Sequence, residues 1–348
     1  MDSMSASPTE HVDLERLASW MDDQGLSGAP ICEAELLSGG TQNILLRFER
    51  GGRRFVLRRP PAHLRRNSNE TMRREARVLA AIAATDVPHP RLIAACPDED
   101  VIGASFYLME PVEGFNPTGG LPALHASDPA IRRAMGLALV DGIATLGAVD
   151  YRAVGLEGFG RPEGYLERQV SRWRSQLEGY REFEGYAGPE IPGVEHVADW
   201  LERNRPRDFQ PGILHGDYHL SNVMYRPDGP ELAAIVDWEL STIGDPLLDL
   251  GWLLATWPGE GGPSAGTVAV KPWDGFPSAD ELVARYRERS QRDLEAIGWY
   301  GVLACYKLGI ILEGTHARAS AGKAAKATGD VLHATTLALF ERALGWID

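Results

Sequence analysis

The spacing of hydrophobic positions changes along the chain, from a mixture of two-residue and helical repeats to helical repeats alone. A helical pattern over residues 11–24 stops at Gly25. Three strand patterns follow closely, at 31–37, 44–49 and 53–59, and in the second Ile44, Leu46 and Phe48 fall on one face. Gly51-Gly52 signals a tight hairpin, and Pro60-Pro61 stops the third strand. A helix is predicted over 67–84, opened by Asn67 and Glu70 at the spacing of a capping box and closed before Pro88 and Pro90. Residues 91–96 and 105–109 read as two more strands around Pro97-Asp98-Glu99-Asp100. This portion predicts a small antiparallel sheet with one helix against it.

From Glu110 onward long helical patterns dominate, at 129–146, 163–180, 196–204, 279–296, 298–316 and 330–344. Between them lie two short apolar runs, 212–214 and 232–236, and a Gly- and Pro-rich loop over 257–275. The expected organisation is α+β, with an N-terminal lobe over 1–109 and a mainly helical C-terminal lobe over 110–348.

Composition narrows the classes. An apolar fraction of 44% and a charged fraction of 24% over 348 residues are those of a globular protein. A net charge of −14 argues against nucleic acid and anionic membrane surfaces as partners. Three scattered cysteines without a CxxC pair fit a reducing compartment. Residues 1–13 carry acids and no apolar core, unlike a signal peptide, and Asp245 and Asp249 interrupt the apolar stretch 240–257. The expectation is a soluble cytoplasmic protein with small-molecule partners, its oligomeric state open. Only four of the 35 basic residues are lysines, and the first is Lys271.

Two acidic motifs sit beside the short apolar runs. One is His215-Gly216-Asp217-Tyr218-His219-Leu220-Ser221-Asn222; the other is Asp237-Trp238-Glu239. A hairpin turning at Pro227-Asp228-Gly229-Pro230 would bring Asn222 and Asp237 side by side. One amide oxygen and one carboxylate, with waters and phosphate oxygens, suit magnesium, and Asp217 would then be free to receive a proton. That is the layout of a protein-kinase-like active site.

On these residues the chain resembles the aminoglycoside phosphotransferase family, relatives of choline kinase. His215-x-Asp217-x4-Asn222 matches the family's catalytic loop and Asp237-Trp238-Glu239 its metal-binding segment; Gly244-Asp245-Pro246 and Asp249-Leu250 also match. The resemblance implies a bilobal kinase-like fold, ATP (or GTP) and Mg2+ as cofactors, and transfer of a γ-phosphoryl group to a small-molecule hydroxyl. Asp217 becomes the catalytic residue, His215 a support of its loop, Asn222 and Asp237 the metal ligands, and Glu239 a further metal-shell residue. The phosphate-covering loop falls on Gly39, Gly40, Thr41, Gln42 and Asn43. With no lysine upstream of Lys271, Arg58 fills the cation slot on the third strand, with Val56 on the same face against the adenine. Glu75 shares a helical stripe with Leu79 and Ile82, which favours it over Glu70 as partner of that cation. Met109, Glu110 and Val112 fall at the hinge.

The resemblance is closest to a branch that also occurs as the kinase-like region of some acyl-CoA dehydrogenases. Leu57-Arg58-Arg59-Pro60-Pro61 and Arg168-Gln169-Val170-x2-Trp173 carry it, although Gly147 stands where the branch usually has histidine. It implies a hydroxyacyl-CoA-like acceptor; the antibiotic-modifying branch implies aminocyclitol hydroxyls instead. Trp257, Trp273, Phe276, Trp299 and Tyr300 are expected near the acceptor or in the core. Other readings are a nucleotide-binding module without transfer, a zinc pair at His215 and His219, and a hydrolase elbow at Gly262-Pro263-Ser264-Ala265-Gly266, where no strand precedes the glycine.

Overall fold

The computed structural model describes residues 11–37, 43–61, 63–64 and 67–347. The leader and residues 39–42 of the expected phosphate loop lie outside them. The chain forms two compact units: Met1–Glu113 with Ala233–Glu239, and Gly114–Leu232 with Leu240–Asp348.

In the first unit, helix α1 (Leu14–Asp23) precedes strands β1 (Cys32–Leu36), β2 (Ile44–Arg50) and β3 (Arg53–Arg59), helix α2 (Ser68–Ile82), and strands β4 (Leu92–Cys96) and β5 (Phe106–Met109). The sheet runs β1-β2-β3-β5-β4, and every neighbouring pair is antiparallel. Gly51 and Gly52 close the β2–β3 hairpin with φ of 61° and 76°, a left-handed pair that glycine adopts without strain. The inward residues Leu46, Phe48, Phe55 and Leu57 pack with Leu17 and Met21 of α1. Phe48 and Phe55 are cross-strand partners with stacked rings 5.4 Å apart.

Helix α2 buries Met72, Glu75, Val78, Leu79 and Ile82. Its expected capping box is not formed. Asn67 sits at φ −115°, ψ 11°, away from the extended cap conformation, and its side chain makes no cap bond. Instead the Thr71 amide and hydroxyl donate to the Asn67 carbonyl at 2.9 and 3.1 Å.

The second unit holds α3 (Ala123–Ser127), α4 (Pro129–Ala148), α5 (Gln169–Gly179), α6 (Val194–Arg203), β6 (Gly212–Leu214), β7 (Val223–Tyr225), β9 (Thr242–Gly244), α7 (Leu247–Thr256), α8 (Ala279–Arg289), α9 (Ile297–Ser320) and α10 (Lys326–Ile347). Strand β8 (Leu232–Ile235) carries the chain back into the first unit, which claims Ala233–Glu239. Strand β6 pairs antiparallel with β9, Gly212 opposite Gly244 and Leu214 opposite Thr242. Helix α8 has a full capping box at Ser278 and Glu281, and ends at Arg289 rather than at the expected 296.

Helix α7 is absent from the sequence reading. It is apolar nearly all round, so no helical stripe stands out, and Asp249 reads there as an interruption. Gly251 lets α9 approach: a Cβ on it would stand 2.5 Å from the Tyr300 carbonyl oxygen. Gly251→Ala therefore forces backbone apart and is expected to cost at least about 2 kcal/mol in urea unfolding. Gly298→Ala meets no atom within 4 Å. It should leave stability unchanged or raise it by up to about 1 kcal/mol.

Candidate active site

In the second unit, β6 delivers the chain into His215-Gly216-Asp217. The buried carboxylate of Asp249 on α7 fixes this turn. Its two oxygens accept the amides of His215 at 2.6 Å and Gly216 at 2.8 Å. Gly216 has φ of 88°, and a Cβ there would stand 2.5 Å from the Leu240 carbonyl oxygen, so only glycine fits. Its own carbonyl accepts from Lys307 Nζ at 3.1 Å, and that ammonium lies 4.4 Å from the centre of the Trp252 ring. The loop is thus held through its backbone from both sides, which leaves the Asp217 side chain to its own partners.

Those partners engage both oxygens. Asn222 Nδ2 donates to Asp217 Oδ2 and to the Asp217 carbonyl, both at 2.9 Å. His219 Nε2 lies 3.1 Å from Oδ1, while His219 Nδ1 accepts the Ser221 amide at 3.2 Å. The ring proton of the neutral histidine therefore sits on Nε2, facing Asp217. Burial works to raise the Asp217 carboxyl, but the hydrogen bond from His219, with the electrostatic pull of the surrounding His219, His215 and Lys307 adding, holds it down at about 2. Desolvation pushes the Lys307 ammonium down to about 8 against the pull of Asp217 and Asp249. Because the Asn222 nitrogen is spent on Asp217, its oxygen is the atom available to a cation.

In the first unit, β3 presents Val56 and Arg58 on one face, Val56 opposite Met109 and Arg58 opposite Tyr107. The Arg58 guanidinium is a buried fork. Nε stands 2.9 Å from Glu75 Oε2 and Nη2 2.5 Å from Asp237 Oδ1. Tyr107 donates to Glu75 Oε2 at 2.9 Å. Burial alone would lower the Arg58 pKa, but Glu75, Tyr107 and Asp237 hold it above the ordinary value. Burial likewise pushes the Glu75 carboxyl up, against Arg58 and Tyr107. Asp237 adopts φ of 67°, a left-handed conformation uncommon outside glycine and frequent at functional sites. Asn43 Nδ2 reaches Glu239 Oε2 at 3.4 Å, and the Glu110 amide donates to the Arg91 carbonyl.

Among the expected site residues, Arg58, Glu75, Asp237, Asn43 and Glu239 are drawn together in the first unit, with Val56 and Met109 on the adjoining strands. Val112 follows on the segment that leaves the sheet. Asp217, Asn222 and the buried His215 lie in the second. His215 and His219 belong to no cluster of metal-ligating groups among the described residues. Gly262 lies in a loop, with φ of 83°. Sequence reasoning placed Asp249 in a family match without giving it a role, and missed Lys307 and the grip of His219 on Asp217. Of these, only the His219 spacing was a local signal.

Of the two alternatives for the aromatic residues, the core one holds for Trp299 and Tyr300. Trp299 Nε1 donates to the Leu201 carbonyl and the Tyr300 hydroxyl to Asp245. Trp257, Trp273 and Phe276 pack on one another and line a separate cavity of about 640 Å³. Tyr165 and Trp252 are the rings that line the pocket at Gly216 and Lys307.

A five-stranded antiparallel sheet with its buried cation and glutamate, and a helical unit carrying an Asp-x4-Asn loop, define a phosphotransferase of the protein-kinase-like fold. The chain belongs to the phosphotransferase enzyme family, which it matches over residues 33–297. It is 32% identical over 299 residues to acyl-CoA dehydrogenase family member 11 of Gallus gallus, a match that covers 82% of this chain and 37% of that protein. The chain thus spans little more than a third of that curated relative. A crystal structure from Ralstonia eutropha, provisionally described as an aminoglycoside phosphotransferase, is 31% identical with a TM-score of 0.79, covering 96% of this chain and 99% of that one. A choline/ethanolamine kinase family protein from Mesorhizobium loti, 18% identical, shares the fold with a TM-score of 0.56 over 91% of this chain and 92% of its own. In class the chain is a small-molecule phosphotransferase. No helix among the described residues is long and apolar enough to cross a membrane.

Lys307 gives the loop a pH signature. The folded chain releases its proton near 8, against a usual lysine value of 10.5. Between those values the unfolded chain binds more protons, so this group's contribution to stability rises with pH. Relative to Lys307→Met, wild type should gain on the order of 2 kcal/mol between pH 7.5 and 10 in urea unfolding. A pH-independent difference would refute the assignment.

Proposed function

We propose that this chain transfers the γ-phosphoryl group of ATP, with magnesium, to the hydroxyl of an acyl thioester of the hydroxyacyl-CoA type. The observation that carries the transfer is Asp217, ionised at neutral pH and aimed by Asn222 and His219. A carboxylate held so acidic accepts a hydrogen bond from the acceptor hydroxyl. It takes the proton only as the new oxygen–phosphorus bond forms and the hydroxyl grows acidic, while the bond from the γ-phosphorus to the β–γ bridging oxygen breaks and ADP leaves.

Asn222 and Asp237 supply an amide oxygen and a carboxylate oxygen, hard donors that fit magnesium, with Glu239 beside them in the sequence. When bound, the metal would neutralise charge on the phosphates. Arg58, oriented by Glu75, would supply the cation that holds the phosphates. By the family resemblance, the segment Gly39, Gly40, Thr41, Gln42 and Asn43 would serve the phosphates, and Val56, Met109, Glu110 and Val112 the base.

The acceptor class is supported by charge. Beside the pocket at Gly216, Tyr165 and Gln169 also border a groove of about 360 Å³ lined by Arg168 and Arg172. Arg168 is tied to the Glu163 and Arg161 carbonyls, whereas Arg172 is exposed and rests against Trp173. Guanidinium groups suit the phosphates of a CoA moiety and repel a polycationic aminoglycoside. The likeness to an acyl-CoA dehydrogenase family member points the same way.

Assays with labelled ATP and GTP against 3- and 4-hydroxyacyl-CoA thioesters, choline and kanamycin test this reading. Turnover of a hydroxyacyl-CoA is expected, and Asp217→Asn should lower kcat roughly 10²- to 10⁴-fold. Arg172→Ala should raise the KM for the thioester about tenfold with kcat little changed. Kanamycin turnover without thioester turnover would overturn the acceptor; nucleotide binding without any transfer would overturn the enzyme.

Nucleotide binding is measured separately by calorimetry. Arg58→Ala should weaken Mg-ATP binding at least tenfold, and Arg58→Lys should keep part of it, since lysine supplies the charge but not the fork. Unchanged affinity in Arg58→Ala would assign the phosphates to another group.

A further inference from the structure

Away from the catalytic loop, the helical hairpin α9–α10 buries an acid beside a pair of stacked histidines. Its seam is made close by glycine. A Cβ at Gly309 would stand 2.7 Å from Phe340, and one at Gly329 would stand 2.5 Å from the Ala319 Cβ and 3.3 Å from the His316 Cα. Thr336 Oγ1 donates to the Gly309 carbonyl at 3.0 Å across the same seam. Glu313 and His316 lie three apart on α9 and so share a face, and α10 sets His333 against them.

Glu313 is completely buried. Its Oε1 accepts from the Tyr186 hydroxyl at 2.7 Å, and its Oε2 lies 2.7 Å from His333 Nδ1. The rings of His316 and His333 stack with centres 4.5 Å apart. His316 Nδ1 is shielded from solvent without a hydrogen-bond partner, the Asp330 carboxylate standing 4.0 Å away. A buried imidazole nitrogen without a proton partner is costly as it stands and is a ready ligand.

We propose that Glu313, His316 and His333 bind a transition-metal dication, zinc in the first place, that staples α9 to α10. One ligand atom from each residue already lies within 4.8 Å of the other two. A tetrahedral zinc with bonds near 2.1 Å holds its ligands about 3.4 Å apart, so closure needs side-chain shifts of about 1 Å. Two imidazoles and one carboxylate match zinc rather than magnesium or calcium, which prefer all-oxygen shells. Tyr186 supplies the outer hydrogen bond that orients a ligating carboxylate. Asp330 can approach the fourth position, although Lys326 Nζ holds its other oxygen at 2.7 Å. The alternative is a metal-free Glu313–His333 ion pair that serves packing alone.

The test uses the full chain stripped with EDTA and titrated with ZnCl2 in 5 mM MgCl2, followed by calorimetry and thermal unfolding. One equivalent should bind at micromolar Kd or tighter, and the unfolding midpoint should rise by a few degrees. His316→Gln and His333→Gln should each weaken that binding at least a hundredfold, with metal-free midpoints recorded to confirm folding. Asp237→Ala should retain it, which separates this site from the proposed magnesium site. Cobalt should give the visible absorption of a tetrahedral centre in wild type and lose it in His333→Gln. Absence of zinc binding in wild type, or binding unchanged in folded histidine variants, would overturn the proposal and leave the ion-pair reading.

Discussion

A buried carboxylate that grips two consecutive backbone amides is the constraint on which the catalytic loop depends. Asp249 spends its two oxygens on the amides of His215 and Gly216. Burial raises its carboxyl, while His215, the two amides and Lys307 pull it down. This bonding substitutes for the water that an ionised acid would otherwise require. The turn it fixes puts Gly216 where no side chain fits and Asp217 where Asn222 and His219 can reach both its oxygens. Loss of Asp249 would leave two buried amides unpaired, each costing about 1–3 kcal/mol.

The scarcity of lysine sharpens the roles of Arg58 and Lys307. Arg58 meets two acids at once because its nitrogens are spread in a plane; an ammonium offers one charged centre. Lys307 makes the complementary choice. It places a compact charge against one carbonyl and an aromatic face, and it is the ion of the two that a desolvated site can neutralise near pH 8. A guanidinium in its place would be harder to accommodate in so narrow a pocket and would not titrate.

Much of the fold was legible because its elements are short and punctuated. Gly51-Gly52 marked the β2–β3 hairpin, and the stripe through Glu75, Leu79 and Ile82 marked the buried face of α2. Helix α7 was not legible, since a helix buried on all sides has no polar face to set its period. The Asn67 cap was misread because spacing records which residues are available and not the backbone angles that aim them. The loop from His215 to Asn222 was visible because its polar groups must keep fixed short separations. The role of Asp249, and Lys307 altogether, escaped because each meets the loop across a long stretch of chain, through a backbone group that any sequence provides.

The same limit shapes what a sequence can say about chemistry. Residues that touch a reacting group carry side-chain identity and spacing, and a motif records both. Residues that hold the backbone of that motif need only one acceptor or donor at the correct height on a helix. Asp249 does this from the first turn of α7, and Lys307 from the middle of α9. Both helices therefore bear on the loop through one polar side chain each, while their apolar faces pack at Gly251 and Tyr300. A change at that packing seam would move Asp249 relative to Lys307 and so disturb Asp217 without touching it. The geometry of the acid thus rests on the hydrophobic contact between two helices that carry no catalytic group of their own.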